Sequence, residues 1–177
     1  CPQCDSRSRH RGQVRYLQLH VSQFAHRKTL IFAPEKVILN SLMAIQIPEI
    51  TTTDYNSVDV DLPNEDIQKL SLGAATFELI ICNHVLEHVP DDQRAILECA
   101  RVLKPGGIAL FTIPGDFTEA TTWVFSELDS NGHFRHYGLD VLDKFQQGFS
   151  HVDMIDMSTL ATSDEHVRRR DLLFVCR

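Results

Sequence analysis

Residues 77–114 read FELIICNHVLEHVPDDQRAILECARVLKPGGIALFTIP, and this stretch decides the fold class. Residues 77–82 form a short apolar run of the kind found in buried strands. Residues 90–103 place apolar side chains three and four positions apart, which predicts an amphipathic helix. The following KPGG, residues 104–107, supplies the proline and glycines that end a helix, and residues 108–113 form a second apolar run. A strand, a helix and a strand in this order predict a parallel βαβ unit.

The segments before this unit continue the alternation. Residues 10–26 carry apolar side chains at helical spacing. Pro34 suits the first turn of a second helix, which runs to about Ile45, because that position needs no backbone N–H donor. Three runs rich in apolar or β-branched residues are predicted strands, namely 28–33, 49–54 and 57–61.

The segments after the unit end the predicted sheet. Residues 118–137 show no clear pattern, and residues 139–147 are predicted to be helical. Residues 149–157 and 172–176 are predicted strands with no helix between them. We therefore expect an α/β fold whose mostly parallel sheet is covered on both faces, with the last two strands paired antiparallel at one edge.

The composition is that of one ordinary globular domain. The chain has 177 residues, of which 43% are apolar and 23% charged. Its net charge of -7 makes nucleic acid an unexpected partner, since a phosphate backbone attracts Lys and Arg. No apolar run approaches the roughly 20 residues of a membrane span, and no signal-peptide pattern opens the chain. The odd count of five cysteines, three of them within apolar runs, further predicts a reducing, cytoplasmic location.

The first residues form a segment of their own. Residues 1–27 are interpreted as an N-terminal CPxC segment with a helix, for which the remnant of a zinc ribbon is one interpretation, and residues 28–177 as the main domain. Cys1 and Cys4 supply half of a structural zinc site, which needs four ligands. No second pair follows, so zinc is expected only with upstream ligands, or with a contribution from His10. The chain begins at Cys1 without a Met, so the native protein is expected to continue upstream. The sequence leaves the oligomeric state open.

Candidate ligand-binding residues follow the predicted strands, because open sheets of this kind bind ligands beyond the carboxyl ends of their strands. Asp54 follows the second strand, where a carboxylate can accept both hydroxyls of a ribose. Asp61 and Leu62 follow the third strand and suit the edge and the face of an adenine. Asn83, His84 and Val85 follow the fourth strand.

Taken together, these segments resemble the class I S-adenosylmethionine-dependent methyltransferases, of the methyltransferase type 11-like kind. The LEHV and RVLKPGG portions of residues 77–114 carry the resemblance most specifically. CPQCDSRSRHR at the start, IFAPEK at 31–36 and GHFRHYG at 132–138 are similar to a subgroup with a CPxC–RHR segment before the catalytic core. The resemblance implies a Rossmann-like three-layer α/β/α sandwich with a seven-stranded sheet, its last strand antiparallel. It also implies S-adenosyl-L-methionine as cofactor and methyl transfer to an unidentified acceptor, expected to be a small molecule.

The turn after the first strand departs from this family. A Gly-rich turn preceded by an acidic residue is usual there, whereas this chain has Ile31 near the acidic position and Ala33, Pro34 and Glu35 in place of the glycines. The resemblance still implies cofactor contacts for Phe32, Ala33, Pro34 and Glu35. Glu35 is a candidate acceptor for the methionine ammonium, or an ordinary acid in the first turn of a helix. The altered turn also leaves open a non-catalytic module that binds the cofactor.

Histidines and an arginine are the candidate catalytic residues. His84 lies at the end of the fourth strand, where the reactive methyl is expected, and His133 and Arg135 lie in the region that often forms an acceptor pocket. A histidine with a pKa near neutrality can accept the acceptor's proton. His84, Glu87 and His88 also match H-x-x-E-H, the pattern of a zinc-dependent hydrolase, with Glu165 as a distant third ligand. That alternative is weaker, because the pattern needs a continuous helix and Pro90 follows at once.

Overall fold

The computed structural model describes residues 6–160 and 171–177. Its helices are α1 Ser8–Leu19, α2 Val21–Phe24, α3 Lys36–Ala44, α4 Asp92–Val102 and α5 Val141–Gly148. Its strands are β1 Thr29–Phe32, β2 Ile50–Asp54, β3 Leu62–Pro63, β4 Phe77–Asn83, β5 Leu103–Thr112, β6 Trp123–Val124, β7 Arg135–His136, β8 Val152–Asp156 and β9 Leu172–Cys176. Short 3-10 turns cover Leu86–His88 and Met157–Leu160. None of the helices in the described ranges is long and apolar enough to span a bilayer.

Seven strands form one sheet in the order β3-β2-β1-β4-β5-β9-β8. Strand β9 runs antiparallel to both β5 and β8, whereas the remaining pairs are parallel. The predicted mostly parallel sheet and the antiparallel pairing of its last two strands are thus confirmed. The chain moves outward in one direction from β1 to β3 and in the other from β4 to β5. The order therefore reverses between β1 and β4, which is where such folds bind ligands.

The core lies on both faces of the sheet, because successive strand side chains point to opposite sides. On one face, Phe32 of β1 belongs to a buried cluster with Ile96 of α4 and Phe145 of α5. On the other face, Ile31 belongs to a second cluster with Leu17 of α1 and Leu42 of α3. The result is the expected three-layer α/β/α sandwich of the Rossmann-like type. Helix α1 contributes to the same core as the rest of the described chain.

The third predicted strand was misplaced. Residues 57–61 form a series of bends, and β3 comprises only Leu62–Pro63, next to the end of β2. Side chains favour the loop: Asp54 accepts hydrogen bonds from the amides of Asn56 and Ser57, which turns the chain directly after β2. The alternation of polar and apolar residues at 57–61 therefore belongs to a loop.

Smaller differences concern element ends. Helix α3 begins at Lys36 with Glu35 as its N-cap, so Pro34 precedes the helix and is not in its first turn. Strand β5 already begins at Leu103, so the KPGG turn lies inside the strand, where the register with β4 shifts. Within the unplaced residues 118–137, β6 and β7 form a two-stranded antiparallel ribbon.

Candidate functional site

Two cavities open at the carboxyl ends of the central strands and meet at His84, which lines both. The first, called here the acidic cavity, has a volume of about 670 Å³ and is lined by Asp54, Glu65 and Asp66 among others. The second, called here the basic cavity, has a volume of about 710 Å³ and is lined by three arginines, Arg7, Arg9 and Arg11. Both volumes fall within the roughly 300–1,000 Å³ typical of small-molecule sites.

The acidic cavity gathers residues from the ends of β1, β2 and β4. Phe32 and Ala33, Asp54, and His84 with Val85 all line it, so the structure brings these candidates together, and their contact with a cofactor stays a prediction. Amides of Asn56 and Ser57 each donate to Asp54 Oδ1 at 2.7 Å, which fixes the carboxylate beside the cavity. This cavity therefore offers a fixed acceptor and apolar walls.

Two residues at the rim of this cavity have an unusual backbone. Ala33 has φ 46° and His84 has φ 52°, in the left-handed region that non-glycine residues rarely adopt. Strained backbone of this kind clusters at functional sites. The turn after β1 therefore keeps the backbone conformation that a glycine favours, although its residue here is Ala33. The chain accommodates the Cβ of Ala33 in this conformation.

Glu65 and Asp66 are the acidic residues after β3 that line the cavity, whereas the structure does not bring the predicted Asp61 and Leu62 to it. Those two described residues line neither of the cavities. Oδ2 of Asp61 accepts hydrogen bonds at 2.8 Å from both the amide and the hydroxyl of Thr52, and these bonds lower the pKa of Asp61. Asp66 and Ile67 line the acidic cavity instead. Asp66 and Ile67 repeat the pattern of Asp61 and Leu62, an acid followed by an apolar residue. The sequence alone therefore offers two candidate pairs for an adenine.

Glu35 and Pro34 also line neither cavity. Glu35 Oε1 accepts a hydrogen bond from Arg9 Nη2 at 2.8 Å and lies 2.6 Å from His10 Nε2, while Oε2 accepts from Asn83 Nδ2 at 3.3 Å. Burial raises the pKa of Glu35, but hydrogen bonds and positive charge from His10 and Arg9 outweigh it, so the pKa lies below its usual value. Glu35 thus holds the start of α1 against the strand ends, which is a different role from contact with a methionine ammonium.

Asn83 lies in the same buried network rather than in a cavity. Its side chain exchanges two hydrogen bonds with Gln13, at 2.8 and 3.1 Å, and accepts a third from the Thr112 hydroxyl at 3.0 Å. The sequence did not reveal Gln13 or Thr112, because each is an isolated polar residue within an apolar helix face or strand. Together these bonds fix α1 across β4 and β5.

The basic cavity owes its charge to this placement of α1. Arg7, Arg9 and Arg11 line it together with Thr112 at the end of β5, the next residues 113–115, and Phe117. One acid, Asp171, also lines the cavity and accepts a hydrogen bond from the Ser8 hydroxyl. Arg9 is paired with Glu35, but arginines still outnumber acids in the lining, and this excess of positive groups favours an anionic ligand.

Arg135 lines neither cavity, so the structure does not bring this predicted catalytic residue to the candidate site. It is 5% exposed, and its guanidinium donates to the carbonyls of Leu86 at 3.0 Å, Val89 at 2.8 Å and Pro90 at 2.7 Å. It also lies 3.5 Å from the Asp92 carboxylate. All of these contacts hold the loop after β4 in place, so the role of Arg135 is structural.

His88 and His133 do not line the basic cavity, whereas His84 and His136 do. His133 Nδ1 lies 3.1 Å from Asp129 Oδ2, and its ring contacts that of His88 at 4.7 Å between centroids. His84 precedes the 3-10 turn Leu86–His88, so His84 and His88 do not share a helix as the zinc-hydrolase pattern requires. Cys1, Cys4 and Glu165 lie outside the described residues.

Comparisons with known proteins agree with this fold. Residues 36–111 match a family model described as a methyltransferase domain. The ubiquinone biosynthesis O-methyltransferase of Coxiella burnetii is 39% identical over 59 residues, which are 33% of this chain and 25% of that protein. Its counterpart from Hahella chejuensis is 40% identical over 58 residues, or 32% and 24% of the two chains. The chain thus spans about a quarter of the length of these curated relatives.

Solved structures share the architecture over most of the chain. Burkholderia thailandensis 1,6-didemethyltoxoflavin-N1-methyltransferase, with bound 1,6-didemethyltoxoflavin and S-adenosylhomocysteine, aligns with a TM-score of 0.66 at 13% identity, covering 98% of this chain and 79% of that one. An S-adenosylmethionine-dependent methyltransferase from Mesorhizobium loti aligns with a TM-score of 0.60 at 14% identity, covering 93% and 96%. The family match begins after the CPxC–RHR segment, so the subgroup stays a prediction. The chain thus contains a match to a methyltransferase domain over residues 36–111 and shares its fold with S-adenosylmethionine-dependent methyltransferases.

Proposed function

We propose that this chain transfers a methyl group from S-adenosylmethionine, bound in the acidic cavity, to a small anionic molecule bound in the basic cavity. The observation that carries the proposal is that both cavities meet at His84, at the end of β4. The sulfonium is already an activated methyl donor, so the protein mainly has to align the donor and the acceptor and exclude water. Two adjoining cavities of opposite charge provide that alignment.

The acidic cavity fits the cofactor in charge and shape. S-adenosylmethionine carries a sulfonium and an ammonium, and a lining with Asp54, Glu65 and Asp66 favours these positive charges. In the proposed pose the fixed Asp54 carboxylate accepts the ribose hydroxyls, and Asp66 and Ile67 contact the edge and the face of the adenine. The bound cofactor would supply the methyl group, and these residues would hold the cofactor in place.

The basic cavity supports an acceptor with a carboxylate or a phosphate group. Its lining combines the charged Arg7 and Arg11 with the apolar Pro114 and Phe117. A guanidinium pairs with such an anion through two parallel hydrogen bonds. His84 is then the candidate base for the acceptor's proton, because it borders both cavities. The O- and N-methyltransferases among the similar proteins favour a small-molecule acceptor.

A cytoplasmic location belongs to the same proposal. The cysteines of the described chain, Cys82, Cys99 and Cys176, are buried free thiols, which suits a reducing compartment.

Isothermal titration with S-adenosylmethionine and S-adenosylhomocysteine tests the cofactor site. Asp54→Asn removes the carboxylate and is expected to weaken S-adenosylhomocysteine binding roughly 10- to 100-fold, because hydrogen bonds to a charged group contribute about 1.5–3 kcal/mol. Asp59→Asn is the matched control, since this exposed acid lies in the same loop and lines neither cavity. Folded full-length chain that binds neither compound would reject the proposal.

A second pair of variants tests the adenine position. Asp66→Ala is expected to weaken binding, whereas Asp61→Ala, which loses only contacts with Thr52, is expected to leave it unchanged. If Asp61→Ala weakens binding and Asp66→Ala does not, the adenine is bound by Asp61, as the sequence predicts, and the proposed role of Asp66 is wrong. Tight cofactor binding without methyl transfer to any member of a panel of small carboxylates and phosphates would contradict the catalytic part of the proposal and favour a binding module.

A further inference from the structure

One carboxylate and two imidazoles meet beside the acidic cavity, outside the proposed methyl-transfer path. Glu87, His88 and His133 each offer a ligand atom, and these three atoms lie within 4.8 Å of one another. Two of the residues come from the 3-10 turn after β4, and His133 comes from the loop before β7. We infer that these three side chains bind a divalent transition-metal ion.

The Glu87 carboxylate supplies the first argument. Its side chain is 0% exposed, and within the described residues neither of its oxygens has a hydrogen-bond partner. His84 Nδ1 lies 3.0 Å from Glu87 Oε1, but this contact does not have the geometry of a hydrogen bond. The His84 ring compensates the negative charge of Glu87 only when the ring is protonated. A buried carboxylate without partners is strongly unfavourable. A cation coordinated at this point removes that cost.

The orientation of the two histidines supplies the second argument. His88 Nδ1 lies 3.2 Å from the carbonyl oxygen of Gly132, and His133 Nδ1 lies 3.1 Å from Asp129 Oδ2. Metal-binding histidines almost always donate one ring N–H to a carbonyl or a carboxylate, which fixes the tautomer and leaves the other nitrogen as a neutral ligand. The His88 contact has the geometry of a hydrogen bond and the His133 contact is an ion-pair distance, and with both Nδ1 atoms engaged in this way the Nε2 atoms are the ones left to bind a metal.

The surrounding backbone holds the ligands in place before any metal arrives. The amide of Phe134 donates to the carbonyl of Glu87 at 2.8 Å, which joins the two ligand-bearing segments directly. Asp129 Oδ1 accepts the amides of Asn131 and His133 at 2.8 and 2.9 Å and so shapes the loop that carries His133. Arg135 fixes the turn from its other side. Such support is what a preorganised metal site requires.

The donor set determines the class of ion. Two imidazoles with one carboxylate suit zinc, cobalt, iron or nickel, and they are poor ligands for magnesium or calcium, which prefer oxygen. Three protein ligands also leave a coordination position for water or another small ligand. His88 and Gly132 line the acidic cavity, so the ion binds next to the compartment proposed for the cofactor. The site is distinct from the predicted zinc site at Cys1 and Cys4.

Titration of the chelator-treated full chain with Co²⁺ alone, and separately with Zn²⁺ alone, tests the inference. The parent protein carries Cys1→Ser and Cys4→Ser, so that the thiolate pair cannot contribute. We expect one bound Co²⁺ per chain, with visible absorption bands, and at least a roughly 10-fold loss of affinity in His133→Ala and in His88→Ala, since even the loss of an outer partner costs about 10- to 100-fold. His151→Ala is the control, because His151 is an exposed imidazole hydrogen-bonded to Asp153.

Two results would overturn the inference. One is the absence of Co²⁺ and Zn²⁺ binding to the parent protein, and the other is equal affinity in His133→Ala, His88→Ala and His151→Ala. Circular dichroism of the metal-free variants verifies folding, and Glu87→Gln, which keeps the shape of the buried side chain, supplies an independent loss of affinity. S-adenosylhomocysteine binding is measured on the same samples. Retained metal binding without cofactor binding would reject the proposed function alone.

Discussion

Arg135 gives the sharpest test of how the site is built, because the sequence predicts a catalytic residue and the structure shows a support for the loop after β4. Arg135→Ala removes three hydrogen bonds, to the carbonyls of Leu86, Val89 and Pro90. The hydrogen bond to the Leu86 carbonyl is buried, so the substitution leaves that carbonyl oxygen without a partner. This lowers the free energy of unfolding by about 1–3 kcal/mol. The other two bonds are only partly buried, so water replaces them at a cost of about 0.5 kcal/mol each.

The Asp92 carboxylate moderates this loss. It keeps hydrogen bonds from the Tyr137 hydroxyl at 3.0 Å and the Lys144 ammonium at 2.6 Å, so it does not become an unpaired buried charge. The expected destabilisation is therefore about 2–4 kcal/mol. For a chain of this size, each kcal/mol lowers Tm by about 2–4 °C, so Tm falls by roughly 5–15 °C.

Thermal unfolding followed by circular dichroism measures this shift. Arg94→Ala is the matched control, because Arg94 is exposed and donates to a single backbone carbonyl, that of Gln68 at 2.9 Å. Its Tm is expected to stay within about 2 °C of the wild type, as for most surface substitutions. If Arg135→Ala unfolds at the same temperature as Arg94→Ala, the structural role is refuted, and a catalytic role returns to consideration.

Three further substitutions test the strand-end turn and the anchoring of α1. Glu35→Gln should lose stability relative to wild type above the ordinary carboxyl pKa of about 4.5. Because the folded-state pKa is lowered, that difference should shrink as the pH falls through it; a constant difference between pH 3 and pH 7 in urea unfolding would contradict the assignment. Ala33→Gly should leave stability unchanged or raise it by about 1 kcal/mol, since Gly accepts φ 46° without strain, and a clear loss in urea unfolding would argue against the strained turn. Gly12→Ala should lower Tm, because its Cβ would lie 2.5 Å from Met157 Cβ, at a cost of about 1–3 kcal/mol; Gly73→Ala, with 3.4 Å to Thr76, is the control, and equal Tm values would refute the clash.

The sequence predicts the sheet well because its signal is local. Apolar runs such as 77–82 and 108–113, and the helix between them, depend on side chains close together in the chain. The same reasoning places Asp54 and Val85 beside a common cavity, since parallel strands end at one edge of the sheet. Once a strand and its direction are predicted, the residues at its carboxyl end are predicted to lie at the ligand-binding edge of the sheet.

The failures all concern contacts between distant segments. The choice between Asp61 and Asp66 depends on where β3 pairs with β2, and that register is fixed by only two residue pairs. Arg135 has the charge of a catalytic residue, and only the folded loop after β4 supplies the carbonyls that bury it. By sequence Glu35 is an ordinary acid at the start of a helix, whereas its partners Arg9 and His10 come from a segment about 25 residues earlier. Spacing along the chain contains no information on such pairs.

The position of the basic cavity explains why the similar proteins do not define the acceptor. The family match covers residues 36–111, which include Asp54, Asp66 and His84 of the cofactor side. Most of the basic cavity lies outside that range: Arg7 and Arg11 precede it, and Phe117 and Met157 follow it. Hydrogen bonds between Gln13 and Asn83 fix the arginine-bearing helix to β4, a strand within the family match, so the proposed acceptor side and the proposed cofactor side come from different parts of the chain. Acceptor specificity is therefore expected to change with substitutions in residues 6–11, and cofactor affinity with substitutions around Asp54.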